Sequence, residues 1–278
     1  MSRIAETFQR CRAAGRTALV PYITAGDPSP EATLELMRAA VAGGADVLEL
    51  GVPFSDPMAD GPVIQAACLR ALEAGTTPAK VLEIVAAFRT EDTTTPVVLM
   101  GYANPLEAAG YEAFIRAAAE AGVDGLLTVD LPLEEAGEAA AAAREHGVDL
   151  IYLVAPNTTP ERLDAICAAA GGFIYVVALK GVTGAANLDA EAVRRHVEAI
   201  RGATDLPLAI GFGVRDPASA ALLAPVADGV VVGSALVQLI GDHGGAPDLA
   251  DRLRDALGAL RQAMDHARSG PREREEAP

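Results

Sequence analysis

The chain has 278 residues, 51% of them hydrophobic and 22% charged, with 22 Lys and Arg against 38 Asp and Glu for a formal net charge of −16. So acidic a surface excludes an electrostatic grip on nucleic acid or on an anionic membrane, because both depend on Lys and Arg neutralising phosphates, and the apolar fraction excludes a disordered chain. Residues Met1 to Glu6 lack the apolar stretch of a signal peptide, and no later segment offers about 18 uninterrupted apolar residues, so a cytoplasmic location is expected.

In chain order, the sequence repeats one pattern of short apolar run, polar loop and alanine-rich helical segment. The first apolar run is Ala18 to Ile23, with a helix predicted over Pro30 to Ala42. Val47 to Leu50 follows and leads into a long excursion, Phe54 to Ala74, before a helix near Pro78 to Arg89. Then come Val97 to Met100 with a helix over Leu106 to Ala121, Gly125 to Val129 with Glu134 to His146, and Leu150 to Val154 with Pro160 to Ala169. Phe173 to Ala178 precedes a helix over Asp189 to Gly202, Leu208 to Ile210 precedes Pro217 to Leu223, and Val230 to Val232 is the eighth run. Arg268 to Pro278 reads as a charged, disordered tail.

A weak internal repeat marks the joints: Gly44-Ala45-Asp46, Gly122-Val123-Asp124 and Gly147-Val148-Asp149, with Val226-Ala227-Asp228 as a version lacking the glycine. A glycine there ends a helix in the left-handed conformation, and the small apolar residue turns the chain into the next strand. Continuous apolar strands alternating with helices imply a parallel sheet covered on both faces, with right-handed crossovers. Eight such units close into a (β/α)8 barrel, a TIM barrel of residues 1–267 in one domain with 268–278 as tail; the alternative is an open doubly wound sheet, although no Gly-x-Gly-x-x-Gly follows the first run. Cys11, Cys68 and Cys167 are odd in number and lack ligand spacing, so reduced thiols and no metal site are expected.

In a barrel, substrates meet the loops at the C-terminal ends of the strands. Glu49 is a carboxylate inside an apolar run, on the same face as Val47 and Gly51; if that face is the interior, desolvation raises its pKa toward the range for proton transfer. The structural alternative is pairing with a buried cation or hydroxyl, but Lys80 and Lys180 are the only lysines and most arginines fall in predicted helices. The next loop carries Asp56 and Asp60 between Pro53, Pro57 and Pro62, where either acid is a candidate for catalysis or for capping the helix at Pro62. Asp130 ends the fourth run and either faces the same mouth or holds a neighbouring loop. Glycine-rich turns follow the last three runs: Gly181-Val182-Thr183-Gly184, Gly211-Phe212-Gly213 and Gly233-Ser234-Ala235. Together they suggest backbone N–H groups converging on a phosphate, with Ser234 starting a short helix. At this net charge, a phosphate must be held by short-range dipoles rather than drawn in from a distance.

The segment from Leu48 to Gln65 resembles the alpha subunit family of tryptophan synthase almost letter for letter. Thr24-Ala25-Gly26-Asp27-Pro28, Met100-Gly101-Tyr102-Ala103-Asn104-Pro105, Val129-Asp130-Leu131-Pro132, Gly181 to Gly184 and Gly211 to Val214 extend the likeness over everything but the tail. The resemblance implies a (β/α)8 lyase that cleaves indole-3-glycerol phosphate to indole and glyceraldehyde 3-phosphate by a retro-aldol reaction. It implies Glu49 as general acid and base and Asp60 as the carboxylate that binds the indole N–H. It further implies apolar walls from Tyr22, Met100, Leu127, Leu153, Tyr175 and Phe212, substrate contacts from Asp130 and Thr183, and phosphate binding at Gly184, Gly213, Gly233 and Ser234. No cofactor is implied in this chain. The implied partner is a beta subunit carrying pyridoxal phosphate, joined as α2β2 across Pro53, Asp56 and Asn104, with indole passed between the subunits internally. Free alpha subunits are expected to be slow, the partner favouring the closed state.

The chain departs from well-known members at Ala178-Leu179-Lys180, at Ala186-Asn187-Leu188 and in Tyr22 and Met100, which bears on loop closure and affinity. Two other readings stay open: a Schiff-base aldolase using Lys180, and an allosteric binding partner with little catalysis of its own.

Overall fold

A computed structural model describes residues 1–177, 190–211 and 213–269. The elements run α1 (Arg3–Ala13), β1 (Ala18–Thr24), α2 (Pro30–Ala42), β2 (Leu48–Gly51), α3 (Pro62–Glu73), α4 (Pro78–Arg89), β3 (Val97–Gly101), α5 (Ala103–Ala109), α6 (Tyr111–Ala121), β4 (Gly125–Thr128) and α7 (Gly137–His146). They continue with β5 (Asp149–Leu150), β6 (Tyr152–Val154), α8 (Pro160–Ala169), β7 (Ile174–Val177), α9 (Ala190–Arg201), β8 (Leu208–Gly211), α10 (Pro217–Leu223), β9 (Gly229–Val232), α11 (Ser234–His243) and α12 (Leu249–Ser269).

All strand pairs are parallel, in the order β5-β4-β3-β2-β1-β9-β8-β7-β6. β5 pairs with β4 and β6 pairs with β7, and only Ile151 separates β5 from β6. The predicted run Leu150 to Val154 is therefore one stave that changes neighbour at Ile151 and brings the two sheet edges together into the barrel.

Alternation along each strand sorts the side chains into two cores. Leu19, Ile23, Leu48 and Leu50 point outward into the layer between barrel and helices. Ala18, Val20, Val47, Val98, Leu127 and Val231 point inward and pack with Ile4, Phe8 and Cys11 of α1. The N-terminal helix α1, which the apolar-run pattern does not reveal, thus plugs the bottom of the barrel, with the Phe8 and Phe173 rings 5.6 Å apart.

Four helices begin at the predicted residue because a cap precedes a proline there: Ser29, Thr77, Thr159 and Asp216 each accept a first-turn N–H, and Pro30, Pro78, Pro160 and Pro217 open the helix. The predicted helix Leu106 to Ala121 is instead two helices, divided at Gly110, whose φ of +81° ends α5 and starts α6. The helix predicted from Glu134 begins at Gly137. At the far end, α12 passes the predicted boundary at residue 267, since Arg268 donates to the Pro225 carbonyl at 3.3 Å and Ser269 to that of Asp265 at 2.8 Å. Among the described residues, no helix is long and apolar enough to cross a membrane.

The joint glycines adopt the expected left-handed conformation, with φ of +99° at Gly44, +90° at Gly122 and +70° at Gly147. The aspartates beside them do structural work that the glycine signal did not announce. Asp46 accepts the Leu19 N–H, Asp124 that of Val97 and Asp228 that of Leu208, each stitching the start of one strand to its neighbour.

Candidate active site

Glu49 sits on β2, in register with Tyr22 of β1 and Val98 of β3. Its neighbours Leu48 and Leu50 occupy the outer core, which turns the carboxylate inward, where it is 1% exposed. Among the described residues, neither carboxyl oxygen has a hydrogen-bond partner. Burial first, and the Asp60 carboxylate second, push its pKa up to about 8. Among the described residues no cation pairs with it, so the structural alternative of a buried ion pair does not apply. Glu49 thus holds its proton at neutral pH.

Asp60 lies in the loop between β2 and α3. The cap of α3 is Gly61, and no side chain caps that helix, so Asp60 is free of the capping role considered for it. Its Oδ2 accepts the Tyr102 hydroxyl at 2.8 Å. Burial raises the Asp60 pKa and this donated hydrogen bond lowers it, leaving it above the usual aspartate value.

Both acids open on one cavity of about 550 Å³ at the C-terminal ends of the strands. Tyr22, Met58, Ile64, Met100 and Tyr175 supply apolar wall, and Gly213, Gly233 and Ser234 line the same cavity. Two glycines make room for the aromatic walls: a Cβ at Gly51 would come 2.0 Å from the Tyr22 hydroxyl, and one at Gly211 equally close to that of Tyr175. At the glycine end, α11 starts at Ser234 with Gly233 as an N-cap that makes no side-chain capping bond. The N-terminus of that helix, with its unpaired N–H groups and partial positive charge, is built to take an anion. The arrangement brings an acid that can give up a proton, a second carboxylate and an anion cradle to one apolar cavity.

Several predicted residues stand elsewhere. Leu127 is buried in the barrel interior and does not line the cavity. Leu153 and Asp130 line a separate cavity of about 470 Å³ between the loops after β4 and β6. Asp130 does not reach the mouth with Glu49: it is exposed, and its Oδ1 accepts the Ala103 N–H at 2.7 Å, anchoring the first residue of α5. Of the predicted interface residues, Asp56 and Asn104 are exposed and Pro53 is buried. Thr183, Gly184 and Phe212, like Ala178, Leu179 and Lys180, lie outside the described residues. Among the described residues, no cluster of three His, Cys, Asp or Glu side chains could hold a metal ion.

Tyr102 was missed as a site residue. Its signal was present, a hydroxyl-bearing residue following an apolar run, but nothing in the sequence pairs it with an aspartate 42 positions earlier.

The family model described as tryptophan synthase alpha chain matches residues 8–267. The chain is 71% identical to the tryptophan synthase alpha chain of Halorhodospira halophila over 97% of this chain and 99% of that one. It is 59% identical to that of Thioalkalivibrio sulfidiphilus over 95% of this chain and all of the other. Among solved structures it is similar to tryptophan synthase subunit alpha from Legionella pneumophila, with a TM-score of 0.89 and 45% identity over 96% of this chain and 99% of that one. It is also similar to a chain of Mycobacterium tuberculosis tryptophan synthase, with a TM-score of 0.85 and 41% identity over 95% of this chain and 98% of the other.

Proposed function

The chain belongs to the tryptophan synthase alpha chain family, lyases that cleave indole-3-glycerol phosphate to indole and glyceraldehyde 3-phosphate and that partner a beta subunit, and on that premise we propose that Glu49 and Asp60 carry the reaction. One observation supports this above all: Glu49 is a fully buried carboxyl with no partner on either oxygen among the described residues, opening on the same cavity as Asp60.

Protonated Glu49 gives its proton to indole C3, which leaves the ring as an iminium cation, with positive charge spread toward the ring nitrogen. Asp60, ionised, accepts a hydrogen bond from the ring N–H and stabilises that charge. The carboxylate left on Glu49 then takes the proton of the hydroxyl next to the ring. As the aldehyde forms, the carbon–carbon bond breaks and its electron pair returns to the ring. Indole leaves neutral, and Glu49 is protonated again. Protonation before cleavage matters, since the ring would otherwise leave as a carbanion.

The apolar walls at Tyr22, Met100 and Tyr175 take the bicyclic ring, joined by Phe212 in the family pattern. Gly184, Gly213, Gly233 and Ser234 hold the phosphate through backbone N–H groups and the Ser234 hydroxyl. The family pattern assigns Thr183 to substrate contact. Residues 1–267 act as one catalytic domain in the cytoplasm, assembled as α2β2 through the Asp56 and Asn104 face. Pyridoxal phosphate belongs to the beta subunit, and the chemistry described for this chain uses only its own side chains.

The test is indole release from indole-3-glycerol phosphate by the purified chain, alone and with a beta subunit. Glu49→Gln is expected to lose indole formation in both while still binding a glycerol phosphate analogue. Near-parental turnover by that variant would overturn the assignment.

A further inference from the structure

Tyr102 holds the loop that carries Asp60 through the Asp60 carboxylate, while Gln65 holds its backbone by donating to the Asp60 carbonyl at 2.8 Å. Tyr102, buried at the N-cap of α5, donates its hydroxyl hydrogen to Asp60 Oδ2 at 2.8 Å and accepts the Ala59 N–H at 3.0 Å. Its ring centroid is 5.5 Å from that of Phe54. All three contacts fall on the segment between β2 and α3. The backbone of Tyr102 is fixed as well, because the next residue, Ala103, is anchored to Asp130. Tyr102 itself does not line the cavity and cannot touch substrate there.

Resting on the assignment of Asp60 to the ring N–H, we propose that Tyr102 is the positioning residue of the reaction: it occupies Asp60 Oδ2, pins the loop through Ala59, and so presents Oδ1 to the substrate. A role through Asp60 rather than through packing follows from what surrounds that carboxylate. The ionisable groups facing it are Glu49 from β2, Tyr22 from β1, Cys68 from α3 and Tyr175 from β7, with Tyr102 behind. Among the described residues none of these is a cation. Burial works against the charged form of Asp60, and the Tyr102 hydroxyl is the contact that favours it. Asp60 must be ionised to face the developing iminium, so removing the hydroxyl makes ionisation harder and moves the acidic limb of the rate profile to higher pH.

Tyr102→Phe keeps the ring against Phe54 and deletes only the hydroxyl. The expected result is a fall in kcat of about tenfold, the scale of one hydrogen bond to a charged group, with KM changed less than about twofold and the acidic limb of kcat/KM displaced upward in pH. Circular dichroism and the thermal midpoint check that the variant is folded. The double variant Tyr102→Phe with Asp60→Asn is expected to be no slower than Asp60→Asn alone, because the hydroxyl acts through the lost carboxylate. A parental kcat and pH profile in Tyr102→Phe, a loss confined to KM, or a full second loss in the double variant would overturn the role of Tyr102 and leave that of Asp60 standing. Parental activity in Asp60→Asn would instead remove the site assignment on which it rests.

Discussion

Three aspartates at the N-terminal end of the barrel are handled in the opposite way to the two acids of the cavity at its C-terminal end. At the N-terminal end, Asp124 lies 2.6 Å from Arg89 and 2.7 Å from Arg3, Asp46 pairs with Arg16 and Arg261 at 3.1 and 3.2 Å, and Asp228 lies 3.0 Å from Arg201. Each of these acids also accepts a strand N–H. At the C-terminal end, among the described residues, Glu49 has no partner on either oxygen and Asp60 has no cation, only the Tyr102 hydroxyl. The paired acids join staves and cannot move protons. The unpaired ones weaken the fold locally and are left with the capacity to react, the division of labour expected between the stability face and the catalytic face of such a barrel.

Exchanging features between the two ends breaks the comparison most visibly at Glu49. Glu49→Gln removes the proton donor and is expected to slow indole release by at least the ~10²–10⁴-fold of a general acid, measured in steady state with the beta subunit present. At the other end, Asp124→Ala strands Arg89, which is 10% exposed. This should destabilise the chain by about 3 kcal/mol, as breaking a buried pair does, read as a lower denaturant midpoint, while kcat in the folded variant stays parental.

A second effect of the Glu49 substitution sharpens the contrast through pH. Glu49 holds its proton up to about 8 in the folded chain, against an ordinary glutamate value of 4.5. Between those two pH values the unfolded chain has released the proton and the folded chain has not, so this group makes stability fall as pH rises through the window, until it levels off above the folded value. Glu49→Gln abolishes that loss, so on going from about pH 4 to pH 9 its unfolding free energy, read by denaturant titration, should fall less than the parental one by an amount on the order of a few kcal/mol, at ~1.4 kcal/mol per pKa unit. The smallest change is expected at the anion cradle, where Ser234→Ala removes one hydroxyl and keeps the α11 N–H groups. KM for indole-3-glycerol phosphate should rise by about tenfold with kcat little altered.

What was legible in the sequence follows the same divide. The apolar runs, the cap-proline helix starts and the joint glycines depend on neighbours within a few residues, and they placed most elements to within a residue or two of where they stand. Glu49 was legible because a carboxylate inside Leu48 to Leu50 violates its surroundings. The function of the joint aspartates was not, since Asp124 finds Arg3 and Arg89, distant in the chain and close only once the barrel has formed. Asp130 stayed open between the mouth and a neighbouring loop because a strand-end acid looks the same in sequence whether it faces a substrate or the start of α5. Tyr102 escaped for the same reason, its partner lying on the preceding loop. The helix α1 left no apolar run to find, since only Ile4, Phe8 and Cys11 of its buried face are apolar and they are spaced at helical intervals.

The central claim is that Glu49 stands protonated at neutral pH in the substrate cavity. Its direct measurement is the titration of the Glu49 carboxyl in the folded chain, by carbon NMR with labelled glutamate and Glu49→Gln to assign the signal. A midpoint near 8, absent from the variant, is the predicted result; a Glu49 signal that titrates near 4.5, as in a solvated glutamate, would contradict it.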